Sequence, residues 1–285
     1  MTFEATAGRL FLRRRSAIPG FGLTLGVTAL YLAVIVAIPL GALLARASSL
    51  GLTGIVHIAT QPRVAAALGV SFGAALTSAI VSGLIGAPIA WALARYRFPA
   101  QRLFDAAIDL PFALPTAVAG IALSTLYAPN GWFGAPLATL GLKIAFTRLG
   151  ILVAMVFVSF PFVVRTLQPV IAGLETGLEE ASVTLGASRL TTIRRVIAPQ
   201  LLPPLLTGMA LAFARAVGEY GSVIFIAGNL IGFTEIAPLL IVEKLEEFDY
   251  AGATAIAAIM LAISFIMLLA INRLQGLARA KLGDV

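Results

Sequence analysis

Charged residues vanish for long stretches of this chain and then return in clusters, and that alternation sets the expected elements. Phe21 to Ala45 runs 25 residues without a charge and Val64 to Ala94 runs 31, where roughly 20 residues of helix cross a hydrocarbon core. Leu110 to about Ala128 predicts a third span, interrupted by Pro111 and Pro115 and ended by APNGWFGAP, in which Pro, Asn and Gly break helix and Trp132 suits a membrane interface. Leu149 to Val164 predicts a short fourth span with Arg148 and Arg165 snorkelling at its ends. A fifth is expected from about Leu201 to Leu230, carrying Arg215 and Glu219, and a sixth from Tyr250 to Asn272. The pattern predicts an all-α integral membrane protein of six transmembrane helices. Residues 1–20 form an N-terminal segment, 21–272 the six-span domain and 273–285 a tail.

Composition agrees: 60% of residues are hydrophobic and 12% charged, about half the charged share of an average soluble domain. The net charge of +7 would suit nucleic acid, but in a membrane protein Lys and Arg record orientation. With the N-terminus inside, fourteen of the twenty Lys and Arg fall on the cytoplasmic side and five outside (Arg46, Arg63, Lys143, Arg148 and Lys244), and Arg215 lies within a span. Both termini are therefore expected in the cytoplasm, with membrane lipid rather than nucleic acid as the surrounding partner. The first apolar run follows an RRR triplet and precedes ARA at 45–47, as in a cleaved signal peptide. Its length favours a retained anchor. With no cysteine and one histidine, His57, no metal cluster or catalytic constellation is expected.

Transport needs an energy source. None of the three lysines, Lys143, Lys244 and Lys281, follows a glycine, so no phosphate-cradling G-x-x-x-x-G-K-[ST] loop is present. A secondary anion carrier would place carboxylates or repeated broken helices near the midplane. Only Glu219 lies well inside a span, four residues after Arg215. That spacing allows two readings: the pair neutralises itself, or Arg215 draws an anion into a water-filled path.

Between the fourth and fifth runs lies EEASVTLGASRLTTIRR, residues 179–195. Leu174, Leu178, Ala181 and Leu185 form an apolar stripe at helical spacing, opposite Glu175, Glu179 and Thr184. Gly186 stops this helix. Ser188 caps a second, which carries Leu190, Ile193 and Ile197 and ends at Pro199. Such a hairpin suits lipid headgroups or a protein partner, and small side chains at Ala181, Ser182, Gly186 and Ala187 would let a partner approach the backbone.

The letters resemble the cytoplasmic signature of the membrane subunits of binding-protein-dependent ABC importers: E-A-A, three residues, G, nine residues, I-x-L-P. Here it reads Glu180, Ala181, Ser182, then Gly186, then Val196, Ile197, Ala198 and Pro199. Ser182, Val196 and Ala198 depart from it conservatively. Longer stretches narrow the resemblance to the sulfate/thiosulfate permeases of the T type: RYRFPAQRLFDAAIDLPFALPTAVAG (95–120), PFVVRTLQPV (161–170), GEYGSVIFIAGN (218–229) and EFDYAGATAIA (247–257). The resemblance implies a type I ABC importer permease fold in a bacterial inner membrane. Residues 175–200, with Glu180, Ala181, Ser182, Gly186, Ala187, Ser188 and Pro199, would couple it to the ATPase. It implies a W-type permease partner, two ATP-binding subunits and a periplasmic sulfate/thiosulfate-binding protein. ATP and Mg would be used by the ATPase partner, with no cofactor on this chain. Molybdate or another oxyanion is the alternative cargo. Breaks at Pro111, Pro115, Gly218, Gly221 and Gly228 suggest Thr116, Ser124, Arg215, Glu219 and Ser222 along the translocation path, or ordinary helix packing. Outside, Glu243, Glu246, Glu247 and Asp249 form an acidic patch that would meet the binding protein or keep the loop in water.

Overall fold

A computed structural model describes the backbone of residues 21–283 and side chains through Gly276. The basic segment 1–20, and the side chains of Arg279 and Lys281 in the tail, lie outside the described residues. Residues 21–49 form one unit: helix α1, Phe21–Ser48, apolar on all sides, with a π turn over Ala33–Ala37 just before Pro39. Proline has no N–H to give a helix and pushes on the carbonyl one turn back, and a wider turn relieves both.

The second unit begins at Leu50. It runs α2 (Gly51–Ala59), α3 (Pro62–Arg95), α4 (Gln101–Ile108), α5 (Leu110–Ala113), α6 (Thr116–Tyr127), α7 (Gly134–Thr139), α8 (Arg148–Ala172), α9 (Thr176–Thr184), α10 (Arg189–Val217), α11 (Val223–Ile226), α12 (Ala237–Glu246) and α13 (Tyr250–Gly283). Its centre is α3, α8 and α10 packed on one another, with α13 against α10 and α12. Lipid gives helices no hydrophobic reason to associate, so the contact relies on small residues and shared hydroxyls. A Cβ on Gly86 would sit 3.0 Å from Val163, and one on Gly208 the same distance from the Val163 backbone. Ser159 of α8 bonds Ser78 (2.9 Å) and Ser82 (3.2 Å) of α3, all three fully buried.

Among the described residues five helices are long and apolar enough to cross a membrane: α1, α3, α8, α10 and α13. The expected third span is not one helix. It divides into α5 and the 12-residue α6, because Pro115 forces Leu114 out of helical geometry to ψ 133. The fourth span is longer than expected, and Arg165 lies inside it rather than at its end. The fifth starts earlier and stops sooner: Pro199 does not end a helix but sits in the first turn after a second π turn, Ile193–Ile197, and α10 continues to Val217.

Candidate functional site

The hairpin of α9 and α10 is built by its turn. Leu185 closes α9, Gly186 takes φ +80, and the Ala187 N–H bonds the Ser182 carbonyl at 3.0 Å while the Gly186 N–H bonds Val183 at 2.9 Å. These are the paired bonds of a left-handed helix stop, a conformation that glycine adopts without cost. Ser188 then caps α10 as expected, its Oγ accepting the Thr191 N–H at 3.3 Å.

The expected apolar stripe does not face inward. Leu178 and Ala181 are exposed and Leu185 is 88% exposed, as are Val183, Leu190 and Ile193, while Ile197 is buried. The buried position of α9 is Ser182, whose Oγ bonds the Glu179 carbonyl and Thr192 Oγ1, both at 2.8 Å. Helix α9 has only nine residues and meets α10 through the buried Ser182–Thr192 hydroxyl pair, which pins the hairpin while the apolar side chains point outward. Ser182→Ala, or Thr192→Val, is expected to cost about 1 kcal/mol of hairpin stability and to leave transport within about threefold, checked by amide hydrogen exchange across 176–195. Glu180, Gly186 and Ser188 are exposed, Ala187 and Pro199 half-buried.

The hairpin is tied to the bundle by Arg95 at the end of α3. Its Nη2 donates to Glu179 Oε1 at 2.7 Å, and its guanidinium lies 5.3 Å over the Trp91 ring.

A second cluster forms where the helices break. Gly218 ends α10, and the Glu219 carboxylate, 2% exposed, accepts Arg215 Nη1 at 2.6 Å, the Ser222 N–H at 2.9 Å and Ser222 Oγ at 2.8 Å. It thereby holds the turn after the helix as a side-chain cap. A Cβ on Gly221 would run into Thr116 Oγ1, and one on Gly120 would lie 2.7 Å from Ser222 Cα. These two glycines let the turn press onto the start of α6. The structure thus brings Thr116, Glu219, Ser222 and Arg215 into one neighbourhood, with Ser124 two turns further along α6. Ser222 is fully buried and its hydroxyl is committed to Glu219, so it offers nothing to a passing ion. Arg215 remains 33% exposed, and among the described residues its Nε and Nη2 carry no bond. Neutralisation and anion attraction are therefore compatible: one edge of the guanidinium serves Glu219 and the other is open.

The acidic patch is largely spent within the chain. Glu243 pairs with Arg63, and Lys244 holds Glu247 at 2.8 Å and Asp249 at 3.3 Å. The Asp249 carboxyl is held below its usual range, first by the Gly252 N–H and then by Lys244, and the Lys244 ammonium is raised by Glu247 and Asp249. Only Glu246 of the four has no ion pair among the described residues.

Three clusters were not anticipated: Arg63 with Glu235 and Glu243, Arg95 with Glu179, and Arg165 with Asp105 and Asp109. Their partners are 56 to 180 residues apart, and no local period signals them.

Residues 79–282 match the family model of the inner membrane component of binding-protein-dependent transport systems. A probable sulfate transport system permease protein, cysT, of Nephroselmis olivacea is 51% identical over 90% of this chain and 90% of its own length. The sulfate transport system permease proteins CysT of Salmonella typhimurium and Escherichia coli K12 are 48% and 47% identical, over 93% and 92% of this chain and 96% and 94% of theirs. Among solved structures, a chain of a bacterial ABC transporter importing the acidic polysaccharide alginate superposes with a TM-score of 0.73 at 14% identity, covering 90% of this chain and 94% of that one. At that identity the likeness speaks for the fold.

Proposed function

The chain belongs to the family of binding-protein-dependent transport system inner membrane components, and on that premise we propose that it is the permease subunit of an ATP-driven sulfate importer. The observation that carries the reading is identity near one half with sulfate permeases along nine-tenths of the chain. The permease itself is not the catalytic subunit. ATP with Mg is hydrolysed on two separate ATP-binding subunits, a second permease of W type completes the pathway, and a periplasmic protein delivers the anion. Both termini face the cytoplasm of a bacterial inner membrane, in keeping with the arginine distribution. Thiosulfate, a tetrahedral dianion in which a terminal sulfur replaces one of the oxygens of sulfate, shares the path.

The exposed apolar tip of the hairpin, Val183, Leu185 and Leu190, is the surface offered to the ATPase. Gly186 keeps the backbone bare there, and Arg95 and α8 pass the load into the bundle. In the path, a dianion meets the open edge of Arg215, whose charge is already balanced by Glu219. A balanced cation attracts without holding, which permits release.

The test is uptake of labelled sulfate in cells lacking the chain and in cells with it restored. Uptake should vanish and return, with thiosulfate competing and molybdate not. Restoration of molybdate uptake alone would assign another oxyanion, and uptake by the purified chain without ATPase subunits would favour a secondary carrier.

A further inference from the structure

We propose that Arg165, held by Asp105 and Asp109, is a positioning residue that passes movement of the cytoplasmic hairpin to the broken segment α4–α6. A guanidinium has five N–H donors, and here all five are used. Nε and Nη2 fork onto Asp109 at 2.8 and 2.7 Å, Nη1 reaches Asp105 Oδ1 and Gln168 Oε1 at 2.6 Å each, and Nη2 also reaches the Asp105 carbonyl at 2.8 Å. Gln168 closes the ring through Asp105 at 3.3 Å.

Position gives the cluster its meaning. Arg165 stands on α8, which ends at Ala172 and is joined to α9 of the hairpin by three residues, Gly173, Leu174 and Glu175. So short a link leaves little slack between the two. On the other side, Asp109 is the junction residue between α4 and α5, and five residues later comes the kink at Leu114 that opens α6. The start of α6 is the surface against which the Arg215–Glu219–Ser222 turn is pressed. Apart from the guanidinium, α5 meets α8 through the edge-on rings of Phe112 and Phe162, 5.2 Å apart. Arg165 therefore fixes where the broken segment rides on the helix that bears the hairpin.

Stability alone is a poor account of it. The two carboxylates are 43% and 49% exposed, and ion pairs so open to water add little net stability. What five directed bonds do add is one fixed geometry, and an ammonium cannot reproduce the planar fork.

The inference rests on the transporter reading, and the experiment separates the two. The complete transporter, with its permease partner, ATP-binding subunits and binding protein, is placed in proteoliposomes, and ATP hydrolysis and labelled sulfate uptake are measured on the same vesicles. In Arg165→Lys and Asp109→Asn, hydrolysis should stay within about twofold of wild type while anion moved per ATP falls about tenfold. Asp105→Asn should lose less, because its carbonyl still accepts. An unchanged ratio in both Arg165→Lys and Asp109→Asn overturns the proposal, as does failure of both to assemble, which would make the cluster structural only. Failure of the sulfate reading shows instead in wild-type vesicles, whose uptake of molybdate in place of sulfate would change the cargo and leave the ratio to be read with that anion.

Discussion

Gly186→Val is expected to lower ATP-driven uptake by more than about tenfold, with the protein still inserted in the membrane and the bundle intact. The left-handed conformation at φ +80 costs an L-residue roughly 1–2 kcal/mol, and a β-branched one more. No atom lies within 4 Å of the position a Cβ would take, so a clash inside the chain is not the cause. The strain acts on the turn: the Ala187 to Ser182 bond opens, and Leu185 and Leu190 no longer share one presented surface. Gly186→Asn separates the two roles of the glycine. Asn accepts φ > 0, so it should keep the turn while adding volume towards the partner. Uptake within about threefold of wild type would assign the requirement to backbone conformation. Loss of ATPase co-purification in Gly186→Asn, with hydrogen exchange in the hairpin unchanged, would assign it to close approach by the partner.

That turn was legible in the sequence because a single residue type satisfies it, and so was the Ser188 cap. The long spans were legible because lipid forbids unpaired backbone and leaves only long apolar helices. Legibility failed wherever a side chain acts on residues remote in sequence. Ser182 stood out only as a departure from alanine; that its hydroxyl bonds Thr192 follows from the closed hairpin and cannot be read before it. The fifth span was drawn through to Leu230 on apolarity, but Glu219 folds back to cap Ser222, and the helix stops at Val217. Pro199 misled because proline breaks a regular helix interior, yet here the π turn Ile193–Ile197 just before it relieves the missing bond and the clash, and α10 runs on. The proline and glycine breaks pointed to residues that the fold does gather, Thr116, Arg215, Glu219 and Ser222, but not to the burial that commits Ser222 to Glu219.

Arg63→Met is expected to destabilise the second unit by about 3 kcal/mol, seen in detergent as a fall of roughly 5–10 °C in the unfolding midpoint. Glu235 is 1% exposed and Arg63 is the sole bonded partner of its carboxylate among the described residues, with Nε 3.0 Å from Oε2. Removing the arginine strands a buried carboxylate, the costly way to break an ion pair. Glu243, which also pairs with Arg63, is partly exposed and can turn to water. Arg63→Met with Glu235→Leu should recover most of the loss, because two apolar side chains replace a desolvated pair. The consequence extends to function through the segment 227–236. Arg148 holds it at one point, donating from Nε to the Phe233 carbonyl at 2.9 Å with the guanidinium 4.4 Å over the Phe233 ring, and Arg63 holds it at the other through Glu235. Just ahead of both points Gly228, Asn229 and Gly232 have positive φ; glycine takes that conformation freely, and Asn229 is the residue that keeps it only while its surroundings enforce it. With one of two clamps gone, protease cleavage within 227–236 should quicken in the single variant. The double variant separates the two effects: recovered stability with cleavage still fast would show that the ion pair fixes the loop in place, and that the cost of stranding Glu235 is a separate matter.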